Sequence, residues 1–255
     1  MTGFADAELT CDGFLDGRLR IWQPRTGYRA AIDPVLLAAF TPAVPGQLVL
    51  DLGCGAGTAA LCLGARTTGL ELHGLEVQPG YADLARRNAT ANGLALTVHD
   101  GDLRRPPQAL RGRTFDAVLM NPPYHPARST GAADVGRDTA QRESGAELSD
   151  WIAAGLRRLG PGGWLVLVHR ADRLPAILAA LDGPAGGIEA LPVAPRSGAP
   201  AGRILVRARK GRRAPFKLHA PLTLHEPNPL EQTERYGARA RAVLRDGADV
   251  TALVS

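Results

Sequence analysis

The sequence Leu48-Val49-Leu50-Asp51-Leu52-Gly53-Cys54-Gly55-Ala56-Gly57 joins a mainly apolar run to three glycines at alternate positions. An apolar run of this length predicts a strand that is buried on both faces of a sheet. Glycines directly after a strand permit a tight turn and a close approach of the backbone to a ligand. Because residues 58–63 have the pattern of a helix start, this part of the chain predicts a strand, a turn and a helix, with a ligand at the turn.

The segments that follow repeat this alternation of strands and helices. Strands are predicted at 48–52, 72–77, 96–99, 115–120, 164–168, 188–193 and 203–209, and helices at 80–92, 148–159 and 171–181. Apolar strands that are separated by helices form a mostly parallel sheet with both faces covered. We therefore predict an α/β fold with a doubly wound, seven-stranded, mostly parallel sheet.

The flanking segments predict additions to a single domain. Residues 14–22 have the pattern of a hairpin with Asp16-Gly17 at its turn, and Asp33 is expected to cap a short helix. Residues 211–229 contain four prolines and are expected to be irregular, whereas 231–245 predicts a helix. The single domain 1–255 is thus expected to have an N-terminal hairpin and helix at 1–45, a core at 46–210 and a C-terminal extension at 211–255.

The basic charge is almost entirely arginine. The chain has 255 residues, 45% of them hydrophobic and 22% charged, so it can bury a sizeable core. The net charge is +5 at pH 7, and only Lys210 and Lys217 among the 30 basic residues are lysines. An arginine-rich surface fits a polyanionic partner, because guanidinium groups bind phosphate with two parallel hydrogen bonds. A genome that favours arginine codons explains this composition equally well.

Cysteine usage and the N-terminal sequence predict a cytosolic protein without a metal site. Cys11, Cys54 and Cys62 are odd in number and form no C-x-x-C pair, which favours a reducing compartment over a disulfide scaffold or a zinc site. Charged residues throughout 2–20 argue against a signal peptide. The longest apolar stretches are too short for a membrane span, so no membrane association is expected.

Two ligand chemistries use a glycine-rich turn of this kind. Residues 55–60 satisfy the dinucleotide pattern G-x-G-x-x-A, and Glu76 lies about twenty residues further on, where an acid that binds ribose belongs. Asp51, however, precedes the first glycine at the end of the strand. Its carboxylate would repel a pyrophosphate and suits a cationic, amino-acid-like ligand instead. A glycine-rich turn without any ligand is the third interpretation.

The pattern D-x-G-x-G-x-G at 51–57 resembles the motif of Rossmann-like methyltransferases that depend on S-adenosylmethionine. The resemblance implies that Asp51 approaches the amino group of the methionine moiety, that Glu76 binds the ribose and that Asp102 contacts the adenine. These three acids follow three successive predicted strands, and ligands bind at the carboxyl ends of strands in such sheets.

Asn121-Pro122-Pro123-Tyr124 follows the next predicted strand. Two prolines end a strand and stiffen the loop after it. The tetrapeptide resembles the signature of methyltransferases that act on planar amino nitrogens. The side-chain oxygen of Asn121 and the carbonyl of Pro122 can accept both N–H groups of such a nitrogen, and Tyr124 can stack on a flat substrate. A proline-rich strand terminator without catalytic role is the alternative.

Residues 23–39 resemble the N-terminal segment of the bacterial tRNA(Val) adenine-N6 methyltransferase family. The matching positions are Gly27, Arg29, Asp33, Leu36, Leu37 and Ala38, with further matches at 141–143 and 222–225. The resemblance implies a tRNA partner and methylation of the adenosine at position 37, next to the anticodon. For Arg29 and Asp33, a helix cap with a surface partner is the alternative.

The resemblances together imply a defined set of site residues. The expected catalytic residues are Asn121, Pro122, Pro123 and Tyr124, and the expected cofactor-binding residues are Asp51, Gly53, Cys54, Gly55, Gly57, Glu76, Val77, Asp102, Leu103, Asn121, Arg29 and Asp33. Arginines at 128, 137 and 142 are expected to guide the anticodon loop, and Arg207, Arg209, Lys210, Arg212 and Arg213 to meet tRNA phosphates at longer range. His125 is expected to be a bystander.

Five alternatives are weighed for the function. A protein methyltransferase that acts on glutamine in release factors uses the same acceptor motif, but its usual N-terminal helical bundle is missing. An rRNA base methyltransferase is excluded only weakly. A dinucleotide oxidoreductase would leave Asp51 and residues 121–124 unexplained, and the intact acceptor residues argue against a non-catalytic RNA-binding module. A DNA adenine enzyme would need room for a target-recognition domain.

Overall fold

A computed structural model describes residues 3–124, 146–228 and 233–250 of the chain. The strands are β1 (Leu9–Phe14), β2 (Leu19–Pro24), β3 (Leu48–Leu52), β4 (Glu71–Glu76), β5 (Leu96–Asp100), β6 (Phe115–Met120), β7 (Leu159–Arg170), β8 (Ala185–Arg196), β9 (Arg203–Lys210), β10 (Lys217–Leu218), β11 (Leu222–Asn228) and β12 (Thr233–Tyr236). The α-helices are α1 (Asp33–Phe40), α2 (Thr58–Arg66), α3 (Pro79–Ala91), α4 (Gln108–Arg111), α5 (Leu148–Arg158), α6 (Leu174–Leu181) and α7 (Ala238–Arg241). Short 3₁₀ turns at Asp6–Glu8 and Ala171–Arg173 and a π-helical turn at Ala242–Asp246 complete these elements.

The main sheet has the strand order β12-β11-β8-β9-β7-β6-β3-β4-β5, with β10 beside β8. Its central strands β5, β4, β3, β6 and β7 are parallel, whereas β9 is antiparallel to both of its neighbours. The predicted mostly parallel α/β sheet is therefore confirmed. The chain reverses its direction of travel across the sheet at β3, and such a switch point opens a crevice at the carboxyl ends of the strands.

Each strand at the centre of the sheet alternates between two apolar layers. Val49 and Leu119 belong to the layer that includes α1, α2, α3 and the N-terminal hairpin. Leu50 and Val118 belong to the opposite layer, with α5 and α6. Because the strands are apolar on both sides, the hydrophobic effect stabilises them only when helices cover both faces.

The C-terminal extension differs from the sequence-based expectation. It adds β10, β11 and β12 to the seven predicted strands, and the helical pattern predicted from residue 231 contains a strand before α7 begins. Leu222 and Leu224 are both buried, which is the alternation of a half-buried strand. The prolines on either side of this pair obscured the alternation, because proline normally signals the absence of a strand.

The N-terminal hairpin is confirmed, although β1 begins five residues before the predicted start. Its turn contains Leu15, Asp16 and Gly17 in the left-handed region, with φ of 50°, 57° and 82°. Asn88 of α3 attaches the hairpin to the domain: its Oδ1 accepts from Trp22 N at 2.8 Å, and its Nδ2 donates to Trp22 O at 3.0 Å and to Ala56 O at 2.9 Å. One buried amide thus joins the hairpin to the glycine-rich turn.

Candidate active site

The glycine-rich turn lies at the carboxyl end of β3, where the sheet reverses direction. Gly53, Gly55 and Gly57 all adopt left-handed backbone angles, with φ of 73°, 54° and 83°. The amides of Gly53 and Cys54 both donate to the carbonyl of Leu75, at 2.7 and 3.0 Å, so the turn folds over the end of β4. A side chain at Gly53 would also meet the Trp151 ring, whose Cζ3 would lie 2.7 Å from the added Cβ. This glycine is needed for packing as well as for the turn.

Asp51 is the first of the acids at the strand ends, and it is almost fully buried. Its Oδ2 accepts from the amide of Ala60 in the first turn of α2 at 3.1 Å. Burial raises the pKa of Asp51 to about 7, and the nearby charge of Glu76 adds to the increase, while the Ala60 amide opposes it. A cationic group placed beside Asp51 would favour the carboxylate form.

Glu76, at the end of β4, holds the turn in place. Its two oxygens accept from Gly55 N at 2.8 Å and from Gln78 N at 2.9 Å. Burial raises the pKa of Glu76, and these backbone hydrogen bonds offset part of the increase. Val77, directly after Glu76, is one of the four exposed large hydrophobic residues in the described part of the chain. An acid and an apolar surface therefore lie side by side at this strand end.

Asp102, after β5, is held by an arginine. Arg104 binds its carboxylate through Nε at 3.1 Å and through Nη2 at 2.7 Å, and Arg104 N donates to Oδ1 at 2.8 Å. These hydrogen bonds lower the pKa of Asp102. Leu103 packs partly against the apolar layer that contains α5 and α6. A ligand that binds Asp102 must share it with Arg104 or displace this side chain.

Asn121 follows β6 beside the glycine-rich turn. Its Nδ2 donates to the hydroxyl of Tyr28 at 3.0 Å, while its Oδ1 is buried and has no hydrogen-bond partner. The Tyr28 ring lies next to Gly55, with Cε1 at 3.7 Å from the position of a Cβ there. Tyr28 therefore contacts both the turn and the acceptor motif. Burial raises the pKa of Tyr28 above its usual range, so the phenol stays protonated.

Tyr124, the last residue of the motif, is held by side chains from other segments. Its hydroxyl donates to Asp33 Oδ2 at 2.8 Å, and the other oxygen of Asp33 pairs with Arg203 of β9. Its ring centroid lies 5.0 Å from that of His169, at the end of β7. Burial and the Asp33 charge raise the pKa of Tyr124, so it remains a hydrogen-bond donor.

His169 is buried and neutral. Its Nδ1 accepts from Arg170 N at 2.9 Å, which places the ring proton on Nε2. Burial lowers the pKa of His169 to about 4, so the ring carries no charge near neutral pH. The backbone of Pro123 also acts on the ring and opposes part of the decrease in the pKa of His169. A neutral imidazole therefore packs against the tyrosine of the motif.

The structure brings most of the predicted residues together at one edge of the sheet. The side chains of Arg29 and Asp33 make contacts that differ from the expected ones. Arg29 binds within the hairpin, to Asp12 at 2.7 Å and to Pro24 O at 2.7 Å. The expectation that Asp33 caps α1 is wrong, because Ile32 occupies the N-cap position and the Asp33 side chain binds Tyr124 and Arg203 instead. The cofactor roles of Arg29 and Asp33 stay predictions.

Four residues of the site escaped the analysis of the sequence: Tyr28, Trp151, His169 and Arg203. Tyr28 lies within the segment 23–39 that carries the family pattern, between two of its matching positions, so attention to aromatic residues there would have found it. His169 ends a strand, and polar residues at strand ends are general candidates. Trp151 and Arg203 give no local signal.

Three buried polar atoms around the turn and the motif have no hydrogen-bond partner: Thr58 Oγ1, Asn121 Oδ1 and Trp151 Nε1. Buried polar groups normally find a partner, so this concentration fits a site whose ligand supplies the missing bonds. With acids at three strand ends, it fits a ligand that has an ammonium group, hydroxyls and an adenine, as S-adenosylmethionine does. No group of three potential metal ligands occurs within the described ranges.

The predicted basic surface is mostly engaged elsewhere. Arg207 pairs with Glu189 at 2.8 Å, Arg209 donates to Gly162 O at 2.9 Å, and Lys210 donates to Leu159 O at 2.7 Å. They lie towards the amino ends of the parallel strands, because β9 runs antiparallel to β7 and starts beside Arg170. These three side chains therefore make hydrogen bonds within the fold, and their contact with tRNA stays a prediction.

Other predicted features fall where nothing can be said of the structure. His125, the arginines at 128, 137 and 142, and the match at 141–143 lie outside the described residues. Within the described ranges, no helix is both long and apolar enough to cross a membrane.

Comparison with known proteins identifies relatives of the chain. The family model "Methyltransferase small domain" matches residues 32–179. A tRNA1(Val) (adenine(37)-N6)-methyltransferase of Aeromonas hydrophila is 30% identical over 205 residues, which are 78% of this chain and 84% of the relative. A release factor glutamine methyltransferase of Geobacter sulfurreducens is 32% identical over 127 residues, 47% of this chain and 44% of the relative. The crystal structure of a predicted O-methyltransferase from Agrobacterium tumefaciens superimposes with a TM-score of 0.67 at 28% identity, covering 83% of this chain and 94% of the other.

Proposed function

The chain belongs to the methyltransferase small domain family of S-adenosylmethionine-dependent methyltransferases, and we propose that it methylates the exocyclic amino nitrogen of an adenine in tRNA. The proposed position is 37, next to the anticodon, as in the name of the Aeromonas hydrophila relative. The feature that supports the proposal most directly is Asn121 Oδ1, a buried acceptor without a partner at the end of β6. An amino group with two N–H donors is the complementary ligand.

The acceptor motif supplies what a planar amino nitrogen lacks. The lone pair of such a nitrogen is delocalised, so the group is a weak nucleophile. Asn121 Oδ1 and the Pro122 carbonyl would each accept one N–H and turn the lone pair towards the methyl donor. S-adenosylmethionine supplies the methyl group from its sulfonium. The protein contributes positioning and fixed acceptors, which can lower a barrier by several kcal/mol.

The proton of the amino group needs no strong base. The nitrogen becomes acidic only as its bond to the methyl carbon forms, and the proton then leaves to solvent. Among the described residues around the motif, both oxygens of Asp33 are engaged, and the His169 lone pair accepts from Arg170 N. These contacts favour a mechanism without a dedicated general base.

The cofactor would lie across the carboxyl ends of β3, β4 and β5. Asp51 would bind its ammonium group, Glu76 its ribose, and Asp102 its adenine amino group. Val77 and Leu103 would flank the adenine ring, and the amides of residues 53–57 would line the methionine moiety. The buried acids and the exposed Val77 support this assignment, because they place charge and apolar surface where each part of the ligand needs it.

The proposal that the substrate is tRNA depends mainly on the N-terminal segment. Tyr28 and Asp33, which contact the acceptor motif, belong to the same segment whose sequence resembles the tRNA enzymes. The Aeromonas hydrophila relative also spans most of both chains. We propose a cytosolic enzyme whose partner is tRNA, with the adenine stacked on Tyr124. A base in a loop costs little to unstack.

A second candidate is methylation of a glutamine side chain in a release factor. The Geobacter sulfurreducens relative carries that name, and a side-chain amide presents the same two N–H donors to Asn121 and Pro122. The shorter shared length, 47% of this chain, makes this the weaker candidate.

The deciding experiment offers labelled S-adenosylmethionine to two acceptors in parallel, unmodified bulk tRNA and a release factor. Products are digested and analysed by mass, with Asn121→Ala as the matched control protein. N6-methyladenosine in tRNA, absent with the variant, supports the proposal. Methylglutamine in the release factor would change the proposed substrate from tRNA to protein and leave the proposed mechanism at Asn121 and Pro122 unchanged. Transfer to neither acceptor overturns both candidates.

A further inference from the structure

Segment 28–33, between the hairpin and α1, contacts both ends of the acceptor motif. Tyr28 Oη accepts from Asn121 Nδ2 at 3.0 Å across 93 residues of sequence. Asp33 Oδ2 accepts from Tyr124 Oη at 2.8 Å across 91 residues. Asn121 and Tyr124 are the two side chains of the motif that have rotational freedom, because the residues between them are prolines. The segment therefore binds both side chains of the motif that can turn.

The segment is itself held firmly. Arg29 donates to Thr10 Oγ1 at 2.8 Å, to Pro24 O at 2.7 Å and to Asp12 at 2.7 Å. Ala30 N donates to the buried Gln23 at 2.7 Å, and Gln23 in turn binds Asp12 at 2.8 Å. These bonds fix the segment to β1 and β2, which Asn88 attaches to α3. Tyr28 and Asp33 thus project from a supported backbone rather than from a loose loop.

Each of the two hydrogen bonds has a defined donor. The two oxygens of Asp33 accept from different donors, one from Arg203 and the other from the hydroxyl of Tyr124. The amide of Asn121 uses its Nδ2 hydrogen on Tyr28, which leaves Oδ1 without a partner. Without Tyr28, the amide could turn by a half rotation and present N–H groups to the substrate instead of an acceptor. Without Asp33, the ring of Tyr124 would lose the contact that sets its tilt against His169.

We propose that Tyr28 and Asp33 are positioning residues for methyl transfer, which act through Asn121 and Tyr124 without touching the substrate. This inference rests on the proposed function only in requiring that the motif transfers a methyl group. It assigns the N-terminal segment to the acceptor side of the site. A cofactor role for Asp33, by contrast, would place its effect on the binding of S-adenosylmethionine.

A double-mutant cycle tests the Asp33 contact. Asp33→Asn, Tyr124→Phe and the double variant are compared with the wild type for kcat, for KM of both substrates and for the affinity of S-adenosylhomocysteine. Tyr124→Phe keeps the ring and removes only the hydroxyl. We expect each single change to lower kcat about tenfold, the double variant to be no worse than the worse single variant, and the affinity for S-adenosylhomocysteine to stay within about twofold.

Two further variants keep the test decisive if Asp33→Asn weakens the fold through Arg203. Tyr28→Phe removes only the hydroxyl that binds Asn121, and we expect kcat to fall about tenfold with unchanged cofactor affinity. Tyr236→Phe makes the same chemical change on β12, outside the site, and should leave kcat at the wild-type value. Thermal unfolding of each variant identifies a loss that is merely structural.

The outcomes separate this inference from the proposed function. Additive losses in the cycle, or a fall in affinity for S-adenosylhomocysteine, would place Asp33 outside the acceptor side and overturn the inference even if tRNA is methylated. Wild-type kcat in Tyr28→Phe would overturn the Tyr28 assignment. If the wild type methylates only the release factor, the proposed function fails, and the same cycle is run on that acceptor.

Discussion

The two halves of the site are held in different ways. In the cofactor half, at residues 51–57 and Glu76, the acids are held by backbone amides: Asp51 by Ala60, and Glu76 by Gly55 and Gln78. In the acceptor half, at residues 121–124, the polar side chains are held by Tyr28 and Asp33 from the N-terminal segment. Local backbone geometry therefore positions the side chains of the cofactor half, whereas contacts with a distant part of the chain position those of the acceptor half.

This difference has consequences for how each half responds to change. A backbone amide stays in place when a side chain is replaced, so single substitutions at Ala60 or Gln78 leave these contacts intact. The contacts of the acceptor motif can each be removed by one side-chain change. We therefore expect that the acceptor half can be disabled without loss of cofactor binding, while the cofactor half is disabled mainly through its glycines and its acids.

The largest expected effect is that of Asn121→Ala, which removes the free acceptor Oδ1. We expect kcat to fall about 10²–10³-fold, as when one preorganised hydrogen-bonding group is lost from an active site. Affinity for S-adenosylhomocysteine should change little, because the cofactor half is held by backbone. Single-turnover methyl transfer and equilibrium titration measure the two quantities separately.

Asn121→Asp is the matched control, because it keeps an acceptor oxygen at the same position. It should retain far more activity than Asn121→Ala. Turnover near the wild-type value in Asn121→Ala would remove this residue from the mechanism, and a parallel loss of cofactor affinity would show that the two halves are not separable.

The next effect is expected from Gly53→Ala, which attacks the cofactor half through its backbone. Alanine at φ of 73° is strained by about 1–2 kcal/mol, and the added methyl would overlap the buried Trp151 ring, at a further cost of about 1–3 kcal/mol. Thermal unfolding and titration with S-adenosylhomocysteine should both show the loss.

Gly93→Ala provides the comparison for strain alone. Gly93 has φ of 63°, and a Cβ there would have open space around it. We expect this variant to lose about 1 kcal/mol of stability and to bind the cofactor normally. An equal loss in both variants would mean that Trp151 yields to the added methyl and that Gly53 serves the turn only.

The same difference explains what could be predicted from the sequence. The order of strands and helices, the turn at 51–57 and the place of Asn121 follow from local patterns, because periodicity and glycine spacing describe the backbone. The partners of Asn121 and Tyr124 lie 93 and 91 residues away, and Arg203 lies 170 residues from Asp33. Such contacts depend on how the sheet assembles, so the role of Asp33 as a helix cap was predicted wrongly.

The arginines are a second case in which the sequence did not predict the contacts of the side chains. A run of basic residues at 207–213 resembles a surface for phosphates in sequence. In the fold, the Arg207 side chain is only 11% exposed, pairs with Glu189 and lies 4.7 Å from the centre of the Phe40 ring. Composition gives the number of charges, but strand register decides which of them face solvent. The proline-rich extension was misjudged for a related reason, since its two buried leucines reveal a strand only once β8 is beside them.

The third effect is a dependence of cofactor affinity on pH, which tests the buried acid of the cofactor half. The pKa of Asp51 is raised to about 7, so the free protein carries mostly the neutral acid at pH 6 and mostly the carboxylate at pH 8. Because the ammonium group of the cofactor favours the carboxylate, we expect affinity for S-adenosylhomocysteine to rise up to about tenfold over this range, with proton release on binding. Titration calorimetry in two buffers of different ionisation enthalpy measures both.

The contribution of Asp51 to folding stability changes with pH in the opposite direction to cofactor affinity. The folded protein holds the proton of Asp51 more tightly than the unfolded chain, so this stabilisation is full below the ordinary pKa of 3.8 and is lost as pH rises through about 7. Asp51→Asn should remove both trends. Identical pH slopes in the variant and the wild type would assign the titration to another group, such as Glu76.

The smallest effect is expected at Asp102, the third acid at the strand ends, which lies beside the cofactor half and is held mainly by the side chain of Arg104. Asp102 and Arg104 are 30% and 45% exposed, and a pair this exposed contributes little to stability because solvent screens it. Arg104→Ala frees the carboxylate for the adenine amino group, so affinity for S-adenosylhomocysteine should rise by about threefold or less. Arg105→Ala makes the same change in net charge without removing those hydrogen bonds and should have no effect. Weaker binding in Arg104→Ala would mean that Arg104 contacts the cofactor itself, and the cofactor half would then depend on a side chain in the same way as the acceptor half.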